Sequence, residues 1–225
     1  MVRLLFWLAG MVVLCGCAGS PAEQALGTPG QHVAQLSLAS IRAHDVTVGA
    51  GVAIGSGLVL TNAHVVRQAG RELTLRSGDG LREAPAQVVS LDPRQDLAVL
   101  RVPAGFLQPA HIATRMPRRG EPVWAVGPEG LGRAVATGLV SRPDATLPGF
   151  GRGFTARLGA LMGFSGGPVV NEVGEVVGLT TALLNAGGAG RLAMLAGMDV
   201  AGLAGGEGRE VFVIRLSPMT LARLQ

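Results

Sequence analysis

From Asp45 onward the chain alternates short runs of Val, Leu, Ile and Ala with Gly, Pro, Asp and Asn. The runs fall at 46–54, 58–62, 72–76, 86–91, 96–102, 122–127, 133–140, 167–171, 175–183 and 211–216. Each has the length of a strand and is bounded by turn residues, so the pattern predicts an all-β barrel or sandwich. A helical period is sustained only in the last residues, 218–225, where Pro218 suits the first turn of a short C-terminal helix. Residues 184–208, rich in Gly and Ala with Leu and Met interleaved, read as a surface loop. No internal repeat is visible.

The chain opens differently. Residues 1–16 place Arg3 before an apolar run that ends in small residues, the layout of a secretory signal peptide and too short to span a bilayer comfortably. The end of this segment, Leu14-Cys15-Gly16-Cys17, resembles the bacterial lipobox, whose last Cys is acylated once the preceding peptide is removed. The plainer alternative is a cut near Ala18 to Ser20; both readings export the protein. Ala18 rather than Asp after Cys17 resembles the Gram-negative arrangement for the outer membrane. Loss of Cys15 with the signal would leave no intramolecular disulfide, so the fold must hold by packing. Residues 17–36 then read as a lipidated N-terminus and tether, polar and small with Pro21 and Pro29, leading into a domain at 37–225.

Composition sets outer limits. With 48% hydrophobic and 15% charged residues, global disorder is excluded, and 225 residues suffice for one large domain or two small ones. All 19 basic residues are Arg, so no mechanism that needs a lysine amine is open. The net charge of +4 is spread along the chain, with only Arg115, Arg118 and Arg119 clustered, which gives no reason to expect a nucleic-acid partner.

The chemistry centres on Gly163-Phe164-Ser165-Gly166-Gly167-Pro168. A serine among glycines in this spacing fits both the nucleophile elbow of α/β-hydrolases and the G-x-S-G-G loop of trypsin-like proteases. The elbow needs a His after the Ser, but His32, His44, His64 and His111 all precede Ser165. A Ser-Lys dyad fails for want of any Lys. His64 ends the run Leu58-Val59-Leu60-Thr61-Asn62-Ala63-His64, and Asp96 heads the apolar run 96–102. Asp92, four positions earlier, reads as a turn residue.

In that order, the three segments resemble those of the trypsin-like serine proteases, and within them the bacterial HtrA/Deg group. Residues 51–66, 121–142 and 211–217 resemble the group's strand-and-histidine segment, its A-I-G-x-P segment and its closing strand. The resemblance implies two six-stranded Greek-key β-barrels, with His64 and Asp96 from the first and Ser165 from the second. It implies that His64 takes the proton of Ser165, that Asp96 orients His64, and that the N–H groups of Gly163 and Ser165 form an oxyanion hole. Thr181 matches a hydroxyl position beside the acid, although a core-strand threonine reads equally well. The substrate pocket would be lined by Ala160, Leu161, Thr181, Ala182, Leu183, Val211 and Val213, none of them a carboxylate. Peptide substrates, no cofactor and no metal follow from the same resemblance, and oligomeric state stays open.

Two departures qualify it. Phe164 stands where secreted family members carry an Asp that pairs with a newly cut N-terminus, and where HtrA proteins carry Asn; residues 155–162 also replace a polar run. HtrA proteins continue into PDZ domains, whereas this sequence is expected to be a protease domain without one. The altered loop keeps open a non-catalytic protease-like binding scaffold, and the triad chemistry keeps open an esterase.

Overall fold

The computed structural model describes residues 19–70, 72–130, 133–160, 163–183, 209–217 and 220–221. The first six strands are β1 (Leu38–Ala43), β2 (Val46–Gly55), β3 (Leu58–Asn62), β4 (Leu73–Ser77), β5 (Glu83–Asp92) and β6 (Leu97–Arg101). They close into a barrel in the order β1-β2-β3-β6-β5-β4, with Ile41 of β1 opposite Leu75 of β4 across the closure. The next six are β7 (Pro122–Val126), β8 (Val135–Leu147), β9 (Gly151–Leu158), β10 (Pro168–Val170), β11 (Val176–Leu183) and β12 (Arg209–Arg215), closed in the order β10-β11-β12-β9-β8-β7. All the strand pairs are antiparallel, and closure leaves neither sheet a free edge to manage. This is the expected two-barrel, all-β architecture.

The near-continuous apolar runs have a physical reason. Successive side chains of a strand point to opposite faces, and several strands here are covered on both. Val59, Leu75 and Leu100 fill the first barrel, whereas their neighbours Leu60 and Val99 join Val52 and Leu97 in a cluster between the barrels. From the second barrel, Val211 and Val213 point inward with Phe154 and Val169, while Phe212 and Ile214 meet the first barrel's residues in the shared cluster. Burying each such side chain stabilises the fold by about 1.5–3 kcal/mol. The two barrels are therefore held together by a third hydrophobic core.

Several expectations need correction. The described part of the stretch read as a tether is folded: α1 (Pro21–Gln24) and α2 (Gln31–Leu36) bury Ala22, Ala25, Val33 and Ala34. Its prolines and glycines serve packing and turns. Pro21 occupies the first helical turn behind the N-cap Ser20, and Gly27 takes φ +73°. Strands β1 and β9 lie outside the runs read from the sequence, and β8 extends seven residues past Val140. A third helix, α3 (Ala63–Ala69), buries Ala63, Val65, Val66 and Ala69 against the first barrel. At the C-terminus, Thr220 and Leu221 are helical behind Ser217, whose Oγ accepts the Thr220 N–H at 3.1 Å. The signal segment, Cys17, Leu161 and the loop at 184–208 lie outside the described residues. Among those that are described, no helix is long and apolar enough to cross a membrane.

Candidate active site

Asn62 ends β3 in an extended conformation (φ −82°, ψ 145°) and caps α3, which sets His64 in the helix's first turn. The Asn62 side chain makes no cap bond; its Nδ2 donates to the Asp96 carbonyl oxygen at 3.0 Å. The same carbonyl accepts the Ala63 N–H at 3.1 Å. Two consecutive residues before His64 are thus tied to the backbone of Asp96.

Asp96 comes from the turn between β5 and β6. Asp92 builds that turn, as expected, with Oδ1 accepting the N–H groups of Arg94 at 2.9 Å and Gln95 at 3.3 Å. Asp96 then adopts φ +53°, a left-handed conformation that costs a non-glycine residue roughly 1–2 kcal/mol. The strain is offset by what the carboxylate reaches. Oδ1 accepts the backbone N–H of His64 at 2.9 Å, Oδ2 lies 2.7 Å from His64 Nδ1, and the Thr181 hydroxyl donates to Oδ2 at 3.1 Å. Asp96 is almost wholly buried, yet three donors satisfy it. An ionised carboxylate at this distance accepts from a protonated Nδ1, which in the neutral ring leaves Nε2 as the acceptor. With 30% of its side chain exposed, His64 can exchange a proton with an incoming molecule.

Thr181 is thus a buried strand residue whose hydroxyl meets the Asp96 carboxylate. It extends from β11, so the carboxylate is held jointly by both barrels.

Ser165 sits on the turn between residues 163 and 167, just before β10. Its carbonyl oxygen accepts the N–H of Ala50 in β2 at 2.9 Å, across the inter-barrel seam. Gly166 follows at φ +79°, and its N–H donates to Thr180 O at 2.8 Å. A Cβ on Gly166 would fall 2.2 Å from Ala50 O and 2.3 Å from Thr61 Oγ1, so only glycine lets the turn lie this close to the first barrel. Gly163 is also left-handed, at φ +92°. Within the described residues, neither its N–H nor that of Ser165 donates a hydrogen bond. Ser165 Oγ and His64 Nε2 share no hydrogen bond among the described residues, a bond that in unliganded sites often forms only once substrate is present.

The expected pocket is brought together only in part. Ala160, Val211 and Val213 pack with Phe164 inside the second barrel and are at most 2% exposed, so Val211 and Val213 belong to its interior wall instead of to an open slot. The reason is strand alternation: odd positions of β12 face the barrel axis. Ala182 and Leu183 lie on β11, paired with Phe212 and Val211. Sequence reasoning missed Asn62 as a support for Asp96, although it lies two residues before His64 in the segment already singled out. Among the described residues no group of His, Cys, Asp and Glu could hold a metal ion.

Comparison with known proteins bears on the family and the fold. Residues 49–179 match the trypsin-like peptidase domain. The periplasmic pH-dependent serine endoprotease DegQ of Escherichia coli (strain K12) is 36% identical over 149 residues, 63% of this chain and 32% of the relative. A probable periplasmic serine endoprotease, DegP-like, of Pseudomonas putida (strain W619) is 36% identical over 147 residues, 63% of this chain and 30% of the relative. The chain thus spans about a third of the length of these relatives. Among solved structures, the MamO protease domain of Magnetospirillum magneticum superposes with a TM-score of 0.63 at 26% identity, covering 86% of this chain and 98% of that one. A protease of M. tuberculosis in its active form superposes with a TM-score of 0.65 at 22% identity, covering 92% and 88%, and shares the fold.

Proposed function

The chain belongs to the trypsin-like peptidase family, and from that premise we propose that it is a serine endopeptidase of the bacterial envelope, with Ser165, His64 and Asp96 as its catalytic residues. The observation that carries the reading is the 2.7 Å contact between His64 Nδ1 and Asp96 Oδ2, reinforced by the Thr181 hydroxyl on the same oxygen. A histidine held this way presents a basic Nε2. Ser165 Oγ would attack the scissile carbonyl as its proton passes to that nitrogen, and the same proton would then go to the leaving amine. Water, deprotonated by His64, would release the acyl group from Ser165. The N–H groups of Gly163 and Ser165 would stabilise the oxyanion in both steps. A fluorophosphonate probe tests the reading: the purified protein should be labelled at Ser165, and an unlabelled wild-type protein would sink it.

Export to the periplasm agrees with the relatives named periplasmic endoproteases. Cys17 is the proposed lipid attachment point, with the outer membrane as destination. Replacing Cys17 with Ser should leave peptidase activity intact and move the protein from the membrane to the soluble fraction, since acyl chains supply the anchorage. Palmitate incorporation reads this directly. A wild-type protein that takes up no palmitate and is already soluble would refute the anchor.

Substrate preference follows from the missing carboxylate. A substrate Lys or Arg entering a pocket without a carboxylate would lose its hydration with nothing to pair it, a penalty of several kcal/mol. Small aliphatic side chains, Ala, Val or Leu, should therefore precede the cut bond. Mass spectrometry of peptides cut from a mixed library measures this, and dominant cleavage after Arg or Lys would contradict it.

A further inference from the structure

The segment ahead of β1 is fastened to both barrels. Its first helix has a capping box, in which Ser20 Oγ accepts the Glu23 N–H at 3.3 Å and Glu23 Oε2 accepts the Ser20 N–H at 2.7 Å. Four residues are far too few for a helix to hold alone, so tertiary contacts keep it. The Ala22 N–H donates to Gly78 O of the first barrel at 3.0 Å. Gln24 Oε1 accepts the N–H of Ala134 in the second at 2.8 Å, while Gln24 Nε2 donates to Gly19 O at 2.7 Å and so orients the amide. Ala25 and Ala34 form a small buried cluster with Leu38, Ala50 and Val126, and Val135 packs against it. Further along, a Cβ on Gly30 would fall 2.8 Å from Val126 Cγ2.

These contacts converge on the connection between β7 and β8. Val126 and Val135 are its two flanks, and Ala134 is its last residue. The Gly127 N–H closes it on Ala134 O at 2.8 Å. Glu129 is held from the first barrel, its N–H donating to Ser40 Oγ at 3.0 Å and its carboxylate meeting Arg76 Nη1 at 2.9 Å. Gly127 in turn lies on the ring of Phe164, where a Cβ would come within 2.7 Å of the ring. Phe164 is fully buried between Gly163 and Ser165. Its ring has no polar group with which to anchor itself, so packing sets its position, between Gly127 and the core residues Ala160, Val211 and Val213. Gly163 has a glycine's freedom to rotate, and the seating of Phe164 limits it.

We propose that residues 19–37 are a positioning element for the nucleophile loop, with Gln24 as its positioning residue. By holding Ala134, Gln24 seats the β7–β8 connection. That connection backs Phe164 and so fixes the direction of the Gly163 and Ser165 N–H groups. The coupling runs through three consecutive contacts, Gln24 to Ala134 to Gly127 to Phe164, and then along the chain. The catalytic part of the proposal rests on the reading of Ser165 as the nucleophile, while the structural part does not.

The test uses the full chain with two substitutions at half-buried Gln24. Gln24→Met keeps the length and removes the acceptor; Gln24→Glu keeps an acceptor for the Ala134 N–H. Two readouts are followed: the second-order rate of fluorophosphonate labelling, and amide hydrogen exchange of peptides containing Gly127 to Gly130 and Gly163 to Gly167. Gln24→Met should melt within a few degrees of wild type, yet label about tenfold more slowly or worse and exchange faster in both peptides. Gln24→Glu should restore both towards wild type. Unchanged exchange in Gln24→Met would overturn the proposal, and so would a Gln24→Glu protein as impaired as Gln24→Met. If wild type itself is not labelled, the peptidase reading fails, and the exchange data alone decide whether the segment positions the loop.

Discussion

Replacing Ser165 with Ala is expected to lower kcat on the order of 10⁶-fold while leaving the fold intact. The two halves of this expectation rest on different atoms. Catalysis needs Oγ, whereas the fold uses the residue's backbone carbonyl, which accepts the Ala50 N–H at 2.9 Å and survives the substitution. Replacing His64 with Ala should cost as much, because without Nε2 nothing receives the Ser165 proton. Asp96 would keep the His64 backbone N–H and the Thr181 hydroxyl, so it would not become an unpaired buried charge. Peptide hydrolysis measured beside a thermal melt checks both halves. A Ser165→Ala protein that retains wild-type turnover would remove the serine from the mechanism.

Asp96→Asn is the second large expected effect, a loss of about 10⁴-fold in kcat, or about 5.4 kcal/mol of transition-state stabilisation. The amide is nearly isosteric, and the Asp96 carbonyl that holds Asn62 and Ala63 is untouched. What changes is the partner at His64 Nδ1. An amide NH₂ there favours the proton on Nε2, which removes the base facing Ser165. Asp92→Asn should be close to silent for catalysis, because Asp92 only shapes the turn through bonds to Arg94 and Gln95. If the two substitutions exchanged phenotypes, the acid would be misassigned.

Why these residues were readable in the sequence, and others were not, follows from the range of the interactions. His64, Asp96 and Ser165 each sit in a short segment whose neighbours serve the same purpose. Asn62 supports Asp96 from two residues before His64, and Gly166 permits the seam contact one residue after Ser165. A linear motif therefore carries most of the local geometry. The strands were legible for a similar reason, since strands covered on both faces show as apolar runs, whereas their division into two barrels was implied only by the family resemblance. Strand β9, Gly151–Leu158, was hidden because Gly151, Arg152 and Gly153 break the apolar pattern; Gly153 is there because a Cβ would fall 2.0 Å from Val213 O. The direction of Val211 was likewise hidden, since the register against Ala156 and Leu183 decides it. Residues 19–36 misled most. Small residues and prolines mark a flexible linker, but they also mark a segment that must lie close against other backbone. Gly78 approaches Ala34 so closely that a Cβ would fall 2.0 Å from its carbonyl oxygen. The partners that distinguish the two cases, Gly78 and Ala134, are far away in the sequence.

The folded N-terminal stretch also sets how far a domain anchored at Cys17 could range. A free tether of about 20 residues would give a lipid-anchored domain a typical reach near 25 Å and a maximum near 70 Å. Under the proposed acylation of Cys17, with the chain bound to the domain from Gly19 onward, the free length would span no more than about 7 Å. A domain of this size is roughly 40 Å across, so the catalytic cleft would stand within about one domain diameter of the lipid surface. It would turn with the membrane instead of searching the periplasmic space. Polypeptides emerging from, inserted in or resting on that bilayer would meet it often, and freely diffusing ones would meet it only when they came to the surface.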